Sequence, residues 1–337
     1  MANRILLAAT LSITSLLGQS AWLKPVTPLW MPGAADSNSP AHWWRGALYL
    51  YNSDGQAVRS EGPDLFNLRH TRAVLFYSRE NLNRWIESTW VDAAGDVWAW
   101  YHHEVFQDCG EGIALSSPVI GALVSHDGGW TYFDLGIVLA PGAPPNCAAQ
   151  NGYFAGGHGD FTVIPDEAGD FLYFHFSNYS GDASQQGVAA ARMRIADRAD
   201  PVGKVWKYFE GEWDRPGLGG DVTPIFRATT DWGRPDTDAF WGPSVHFNTA
   251  LGLYVMLLNR SCCAPGWPQE GIYVSYSPNP ADPASWKPPT QLVSAGNWYP
   301  QIVGLGPLDT DKRAGRTSRF FAGGYSEFEL VLEAPEP

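Results

Sequence analysis

The sequence predicts an all-β chain folded as a five-bladed β-propeller of four-stranded antiparallel blades. Three observations predict it. A theme recurs in which a Gly-led strand is followed by a polar loop and then a Trp or Tyr. Its clearest copy runs over residues 121–132, and weaker copies run from Ala73 to Trp85, Gly187 to Trp206 and Gly271 to Trp286. Each copy reads as the outer half of a four-stranded unit. Next, the aromatic or β-branched runs 98–103, 171–176 and 253–258 each follow a Gly-containing turn. Each turn is preceded by another short run, at 86–91, 160–164 and 243–247. Finally, no long amphipathic helix interrupts these short, turn-bounded runs. A theme returning every ~40–80 residues argues for a radial array, whose function sits in the loops at one end of the axis.

The elements follow in order. Units are expected near 43–85, 86–140, 159–210, 240–293 and 298–332. In each, the inner strand comes first, then a tight turn, the second strand, a long loop, the third strand, a polar loop and the fourth. The last unit has three clear strands. A strand near 23–30 is expected to complete it, which would close the ring without an unpaired seam. The repeat runs through almost the whole chain, so 22–337 is expected to be a single domain.

Residues 1–21 have the form of a secretory signal: Arg4, an apolar run over 5–17 and the small-residue exit Gly18-Gln19-Ser20-Ala21. The run is too short to span a bilayer, and no other segment is long enough. The expected address is secreted or periplasmic, and the expected state is a monomer. A net charge of −13 without a basic stripe excludes a nucleic-acid partner. Four Cys suit an oxidising compartment. Cys109 and Cys147 fall in long loops on one face and are the expected disulfide. Cys262 and Cys263 are adjacent, and a vicinal disulfide and two free thiols both stay open.

Ser125-His126-Asp127-Gly128-Gly129-Trp130-Thr131-Tyr132 matches the Asp-box, Ser-x-Asp-x-Gly-x-Thr-aromatic. The Asp carboxylate caps backbone N–H groups within the turn, and Gly supplies positive φ. With the phrases Gly159-Asp160-Phe161, Trp241-Gly242-Pro243-Ser244-Val245 and Gly271-Ile272-Tyr273-Val274-Ser275, the chain resembles the five-bladed β-propeller glycoside hydrolases of the arabinanase, xylosidase and fructosidase group, with a sialidase-type Asp-box. The chain departs from that group at Gly242, where an acidic residue is expected before Pro-Ser-Val. Its Glu-Gly-Pro phrase occurs only at Glu61-Gly62-Pro63.

Chain direction brings together the loops entering inner strands and the loops leaving second strands. The first set supplies Glu87, His158, Asp160, Asp238, Trp241, Asn297, Trp298 and Tyr299; the second supplies His102, His103, Glu104, Asn178, Tyr179, Asn259 and Arg260. Glycosidic hydrolysis needs one protonated and one ionised carboxyl group, with their environments driven apart. The resemblance therefore implies a secreted enzyme acting on an oligo- or polysaccharide. Asp160 is expected as base or nucleophile, Glu104 as acid, and Glu87 as a further catalytic carboxylate. His103, His158, Asn178, Tyr179, Trp241, Asn259, Arg260, Trp298 and Tyr299 are expected to bind sugar. His102 and His103 alternate across the strand, so at most one faces the funnel.

No motif requires a cofactor, and none of the spacings is a metal signature. His158 and Asp160 would suit a structural Ca²⁺. Two other readings stand beside hydrolysis: a propeller that binds glycans without cleaving them, and one used for protein contacts through a filled funnel. Fold alone does not separate them.

Overall fold

The computed structural model describes residues 19–78, 80 and 82–334. Most of the expected signal segment lies outside the described residues. Its last two positions, Ser20 and Ala21, open the strand Ser20–Trp30.

Five sheets form the five blades of an all-β ring. Blade I comprises Ala41–Trp44, Ala47–Asp54, Gln56–Gly62 and Arg69–Ala73. Blade II comprises Trp85–Val91, Val97–His103, Val119–Ser125 and Thr131–Leu139. Blade III comprises His158–Pro165, Phe171–Asn178, Gly187–Arg194 and Trp206–Phe209. Blade IV comprises Ala239–Asn248, Leu253–Ser261, Gln269–Ser277 and Thr290–Ser294. Blade V comprises Gln301–Gly304, Thr317–Ala322 and Tyr325–Glu333, and Ser20–Trp30 adds to it as the outermost strand. Leu23 lies opposite Leu330 and Trp22 opposite Val331, so the expected closure by the N-terminal strand is present.

The expectation of uniformly four-stranded blades is corrected. Strand counts from blade I to blade V are 4, 5, 6, 5 and 4. Leu75–Tyr77 pairs in parallel with the outer strand of blade II and covers its edge. Glu212–Pro216 extends blade III outward, and Phe226–Arg227 pairs with its third strand. Arg313–Ala314 joins the inner strand of blade IV. The copy read from Ala73 to Trp85 is also corrected. Ala73 ends blade I, and Trp85 opens the inner strand of blade II.

Five buried clusters each join two neighbouring blades. Tyr51 and Ile86 belong to the contact of I with II, and Trp100 and Phe174 to that of II with III. Tyr173 and Met256 join III to IV, Leu257 and Phe320 join IV to V, and Leu50 and Phe321 join V to I. Each fully buried side chain of this kind contributes about 1.5–3 kcal/mol. The ring is therefore held by the faces of its sheets, which leaves the ends of the inner strands free to carry polar groups.

The axis itself is tied by hydrogen bonds. Asn38, just before blade I, is buried and donates through Nδ2 to the carbonyls of Phe161 at 3.0 Å and Pro243 at 3.1 Å. Gln301 Oε1 accepts the N–H of Ser39, and Gln301 Nε2 donates to the Ser39 carbonyl at 2.9 Å. One short segment thus touches blades III, IV and V, and it fixes where Asp36, two residues before Asn38, must sit.

The Asp-box forms the turn between the third and fourth strands of blade II. Asp127 accepts the N–H groups of Trp130 at 3.0 Å and Thr131 at 2.9 Å, and the Thr131 hydroxyl at 2.7 Å. Cys109–Cys147 is a disulfide with a Cα–Cα distance of 5.2 Å, and Cys262–Cys263 is a vicinal disulfide.

Candidate active site

The inner strands of blades II, III and IV share one irregularity. The pairing register shifts at Glu87, between Ile86 and Ser88, and at Asp160, between Gly159 and Phe161. It shifts again between Trp241 and Ser244, where Gly242 has φ +58°. A bulge bends its strand and re-aims a side chain. Asp160 holds φ +42°, a region Asp tolerates better than most residues. Because of the bulge, His158 and Asp160 have different surroundings despite their even spacing. The His158 ring packs on Phe176 at 4.8 Å, whereas Asp160 meets the blade II carboxylate.

Glu87, His102 and Asp160 each offer one polar atom within 4.8 Å of the others, and all three are buried. Glu87 Oε1 accepts from His102 Nδ1 at 3.0 Å, and its Oε2 accepts the Phe161 N–H at 2.7 Å. On its far side, His102 Nε2 lies 4.0 Å from Glu104 Oε1. The Tyr179 hydroxyl donates to Asp160 Oδ2. Gly159 makes this approach feasible, since a Cβ there would lie 2.8 Å from His102 Cε1.

Charge follows from this packing. Burial alone would lower the His102 imidazole, but the Glu87 hydrogen bond, with the negative charges of Glu87, Asp160 and Glu104, raises it to about 9. Burial first, then the Glu87 charge, pushes the Asp160 carboxyl up, while His102 and Tyr179 oppose the shift. Burial raises Glu104, with His102 opposing. Asp36 has an exposed edge, yet the surrounding walls strip part of its hydration. That loss, with the charges of Asp54, Glu104 and Glu87, raises its carboxyl to about 6. Burial, then the Asp160 charge, holds the Tyr179 phenol protonated and able to donate.

Aromatic side chains stand over this cluster. Phe154 stacks on Tyr179 at 4.3 Å, and Trp267 lies 4.4 Å from Trp232. Trp241 meets Trp298 edge-on at 5.5 Å and Tyr299 at 5.7 Å. Tyr299 also senses the charges of Asp160, Asp36 and Glu87.

The structure therefore brings Asp160, Glu87, Glu104, Tyr179 and Tyr299 together, with Trp241 and Trp298 in the aromatic wall. His158 and Asn178 face each other across two strands beside the cluster. His102, rather than His103, reaches the carboxylates. The strand alternates, and His103 turns to Asn83 Oδ1 at 2.7 Å. Arg260 is held by Asp238 through bonds of 2.9 and 3.1 Å and contacts Tyr273. Asn259 is buried against Trp241 and Gln269. Asp36 is the residue that sequence reasoning missed. The rule that loops entering inner strands share the funnel would have found it, had blade I been read as beginning before residue 43.

Glu87, His102 and Asp160 are also a group of side chains that could hold a metal ion, and His158 is not one of the three. Ca²⁺ takes 6–8 oxygen ligands, of which the two carboxylates supply only part.

No protein-family model matches the sequence, and no curated protein matches it. Among solved structures, the ring is similar to an exo-1,5-α-L-arabinanase from a bovine ruminal metagenomic library, at 12% identity and TM-score 0.52 over 90% of this chain and 95% of that one. It is similar to a thermostable family-43 glycoside hydrolase, at 11% identity and TM-score 0.51 over 92% and 96%. It is also similar to an exo-β-1,3-galactanase from Clostridium thermocellum, at 13% identity and TM-score 0.50, covering 92% of this chain and 63% of that one. The shared property is the five-bladed ring. The sialidase-type expectation is thereby narrowed: the likeness is to arabinanase- and galactanase-type rings, and the Asp-box is a local turn.

Proposed function

We propose that this chain is a secreted or periplasmic glycoside hydrolase that cleaves an oligo- or polysaccharide at the funnel end of its ring. The observation that carries the reading is the convergence of Asp36, Glu87, Glu104 and Asp160 around His102. These carboxyls have unequal surroundings, which acid–base division of labour requires. Glu104 is raised by burial and has only the more distant His102 to favour its charge, so it serves as the acid that protonates the leaving oxygen. Burial and the Glu87 charge push the Asp160 carboxyl up, and the His102 imidazolium and the Tyr179 hydroxyl oppose that shift and favour the ionised form in which it acts. It either attacks the anomeric carbon or takes a proton from the attacking water. Glu87 is a positioning residue in this scheme. Both its oxygens are engaged, one by His102 Nδ1 and one by the Phe161 N–H. Asp36 is a further carboxyl at the wet edge. In the aromatic wall Tyr153, exposed, and Trp298 and Tyr299, half-buried, are left to stack on sugar rings, whereas Trp241 and Tyr179 are packed inside it. The two disulfides suit an oxidising destination.

A propeller without hydrolysis, used for glycan binding or protein contacts, is the second reading, favoured by the tight packing of Phe154, Tyr179 and Trp267 above Asp160. Incubating the purified protein with a glycan library, with mass spectrometry of released products, separates the two. Products from the wild type, and a loss by orders of magnitude in both Asp160→Asn and Glu104→Gln, support the assignment. Wild-type turnover in either variant sinks it, and binding without release selects the second reading.

A further inference from the structure

The vicinal disulfide Cys262–Cys263 stands where the second strand of blade IV gives way to the loop that leads to its third strand, Gln269–Ser277. That loop lies at the funnel end and carries Trp267 inward. Trp267 is 4% exposed, and its ring lies 4.4–6.0 Å from those of Trp232, Tyr153, Phe154, Trp241 and Tyr179. Tyr179 in turn bonds Asp160. Beneath this wall Glu87, His102 and Asp160 are all buried. A glycan reaches Asp160 only when part of the wall moves, and Trp267 is the member that packs on five others.

Trp267 is also poorly placed for a residue meant to stay. It holds φ +53°, a left-handed backbone that bulky side chains rarely adopt, and such strain persists only where the surroundings impose it. Its Nε1 is buried without an acceptor among the described residues, a donor that water would satisfy. The loop around it is thin. Residues 263–266 are exposed, and one backbone hydrogen bond closes its base, from the Cys262 N–H to the Pro268 carbonyl at 3.2 Å. What opposes release is the burial of the indole and the covalent ring that fixes the backbone of Cys262 and Cys263 where the loop departs. Cys263 is exposed and Cys262 half-buried, so a dissolved thiol reaches the bridge. The Asp238 carboxylate within 4.8 Å of both sulfurs is paired with Arg260, which limits its repulsion of an incoming thiolate.

We infer that Cys262–Cys263 is a redox-operated strap: oxidised, it holds Trp267 over the carboxyl cluster; reduced by a dithiol, it releases the loop over residues 262–268 and opens a path to Asp160. The inference rests on the glycoside hydrolase reading for what the path admits, and it adds the regulation of that site. The exchange balances. A thiolate of the dithiol attacks one sulfur, forms a mixed disulfide and expels the other Cys, which takes up a proton. The second thiol of the reductant then attacks, closes to its own disulfide and frees the remaining Cys. Two electrons and two protons pass from the dithiol to the bridge.

The test reads access directly. A water-soluble carbodiimide with a small amine is coupled to the full chain before and after equilibration with dithiothreitol, and the rate at Asp160 is followed by peptide mass spectrometry. Hydrogen exchange over residues 262–268 reads the loop in the same samples. Reduction is expected to raise the Asp160 coupling rate about tenfold or more and to deprotect the loop. Cys262→Ser/Cys263→Ser, which keeps the Cys109–Cys147 bridge, is expected to behave as the reduced protein and to change no further with dithiothreitol. Cys109→Ser/Cys147→Ser is expected to keep the response, and it carries the test if the first variant does not fold. Equal Asp160 coupling in the two redox states overturns the inference. So does a response that survives Cys262→Ser/Cys263→Ser or disappears in Cys109→Ser/Cys147→Ser. Glycan release by the wild type is measured in both states. Opening without release in either state sinks the hydrolase reading and leaves the strap standing. Release at equal rates in both states, with Asp160 coupling unchanged, sinks the strap and leaves the hydrolase reading standing.

Discussion

Glu87 accepts the backbone N–H of Phe161 at 2.7 Å, reaching from blade II to the residue that follows Asp160 in blade III. One position further along, the Ser88 hydroxyl donates to the Val163 carbonyl at 2.9 Å and accepts the Val163 N–H at 3.0 Å. The two bulged strands are therefore registered against each other, and Asp160 is aimed by its neighbouring blade. Glu87→Ala would remove the partner of His102 Nδ1 and of the Phe161 N–H, leaving the buried imidazolium only the more distant charges of Asp160 and Glu104. Breaking a buried pair in this way costs about 3–5 kcal/mol. The expected outcome is a shift of that size in the denaturant midpoint, together with loss of turnover. A shift below about 1 kcal/mol would show that the clamp is not what holds Asp160.

The same pair sets a pH dependence. The folded His102 titrates at about 9 rather than 6.5, so its contribution is complete below pH 6.5 and is lost as pH rises through about 9. Asp36 has the same sign in a lower window. Raised from 3.8 to about 6, it favours the fold below 3.8, and that contribution is lost as pH rises through about 6. Global stability does not isolate either group, because burial holds the His42, His175 and His246 imidazoles down at about 3 and Lys207 at about 7, and these add stability as pH rises through the same windows. NMR titration of the His102 ring provides the check, and a ring that titrates near its ordinary value contradicts the arrangement.

Parts of this were legible in the sequence for identifiable reasons. The recurring strand-turn-strand theme fixes the ring because each sheet must bury two faces, and the N-terminal strand closes it because blade V otherwise ends at Tyr325–Glu333 with an open edge. Asp160 and Glu104 could be placed at one end because chain direction alone decides that. Side-chain direction was not legible. Alternation would put His158 and Asp160 on one face, but the extra residue at Asp160 breaks the period, and a bulge leaves no clear mark in composition. The ion pair of Arg260 with Asp238 depends on the register that sets Phe240 opposite Arg260, which a single sequence does not reveal. Asp36 escaped because the segment between Ser20–Trp30 and Ala41–Trp44 reads as a linker, whereas it is tied into the axis through Asn38 and Ser39.

Cys109 and Cys147 close a sequence separation of 38 residues and join the hairpin Phe106–Asp108/Ala114–Ser116, inserted between the second and third strands of blade II, to the loop that carries Tyr153 and Phe154 into the aromatic wall. In the chain-entropy model a bridge of this length contributes roughly 3–4 kcal/mol. The Cys109→Ala/Cys147→Ala protein is expected to lose stability of that order. It is also expected to bind glycan more weakly, since Phe154 stacks on Tyr179 and Tyr179 holds Asp160. Denaturation and calorimetry on the same preparation read the two effects. Weaker binding with intact stability would assign the bridge to the site alone, and unchanged values of both would remove it from the account.

Gly159 separates packing from chemistry most cleanly. A Cβ there would stand 2.8 Å from His102 Cε1 and 3.1 Å from both His102 Nδ1 and Pro118 Cγ. The first contact is closer than real Cβ atoms tolerate, so the imidazole has to move, and Nδ1 is the atom that bonds Glu87. Overpacking of this kind costs about 1–3 kcal/mol. The larger effect of Gly159→Ala is expected on the site, because a displaced His102 no longer balances Glu87, Asp160 and Glu104. The expectation is a fall in kcat of about tenfold or more with KM changed little, and a His102 ring that titrates lower than in the wild type. Leu172→Val, buried at the other end of the second strand of blade III, serves as the comparison for general loosening of that blade. If Gly159→Ala lowers kcat no more than Leu172→Val does at equal loss of stability, the imidazole is not the link between the two bulged carboxylates and Glu104.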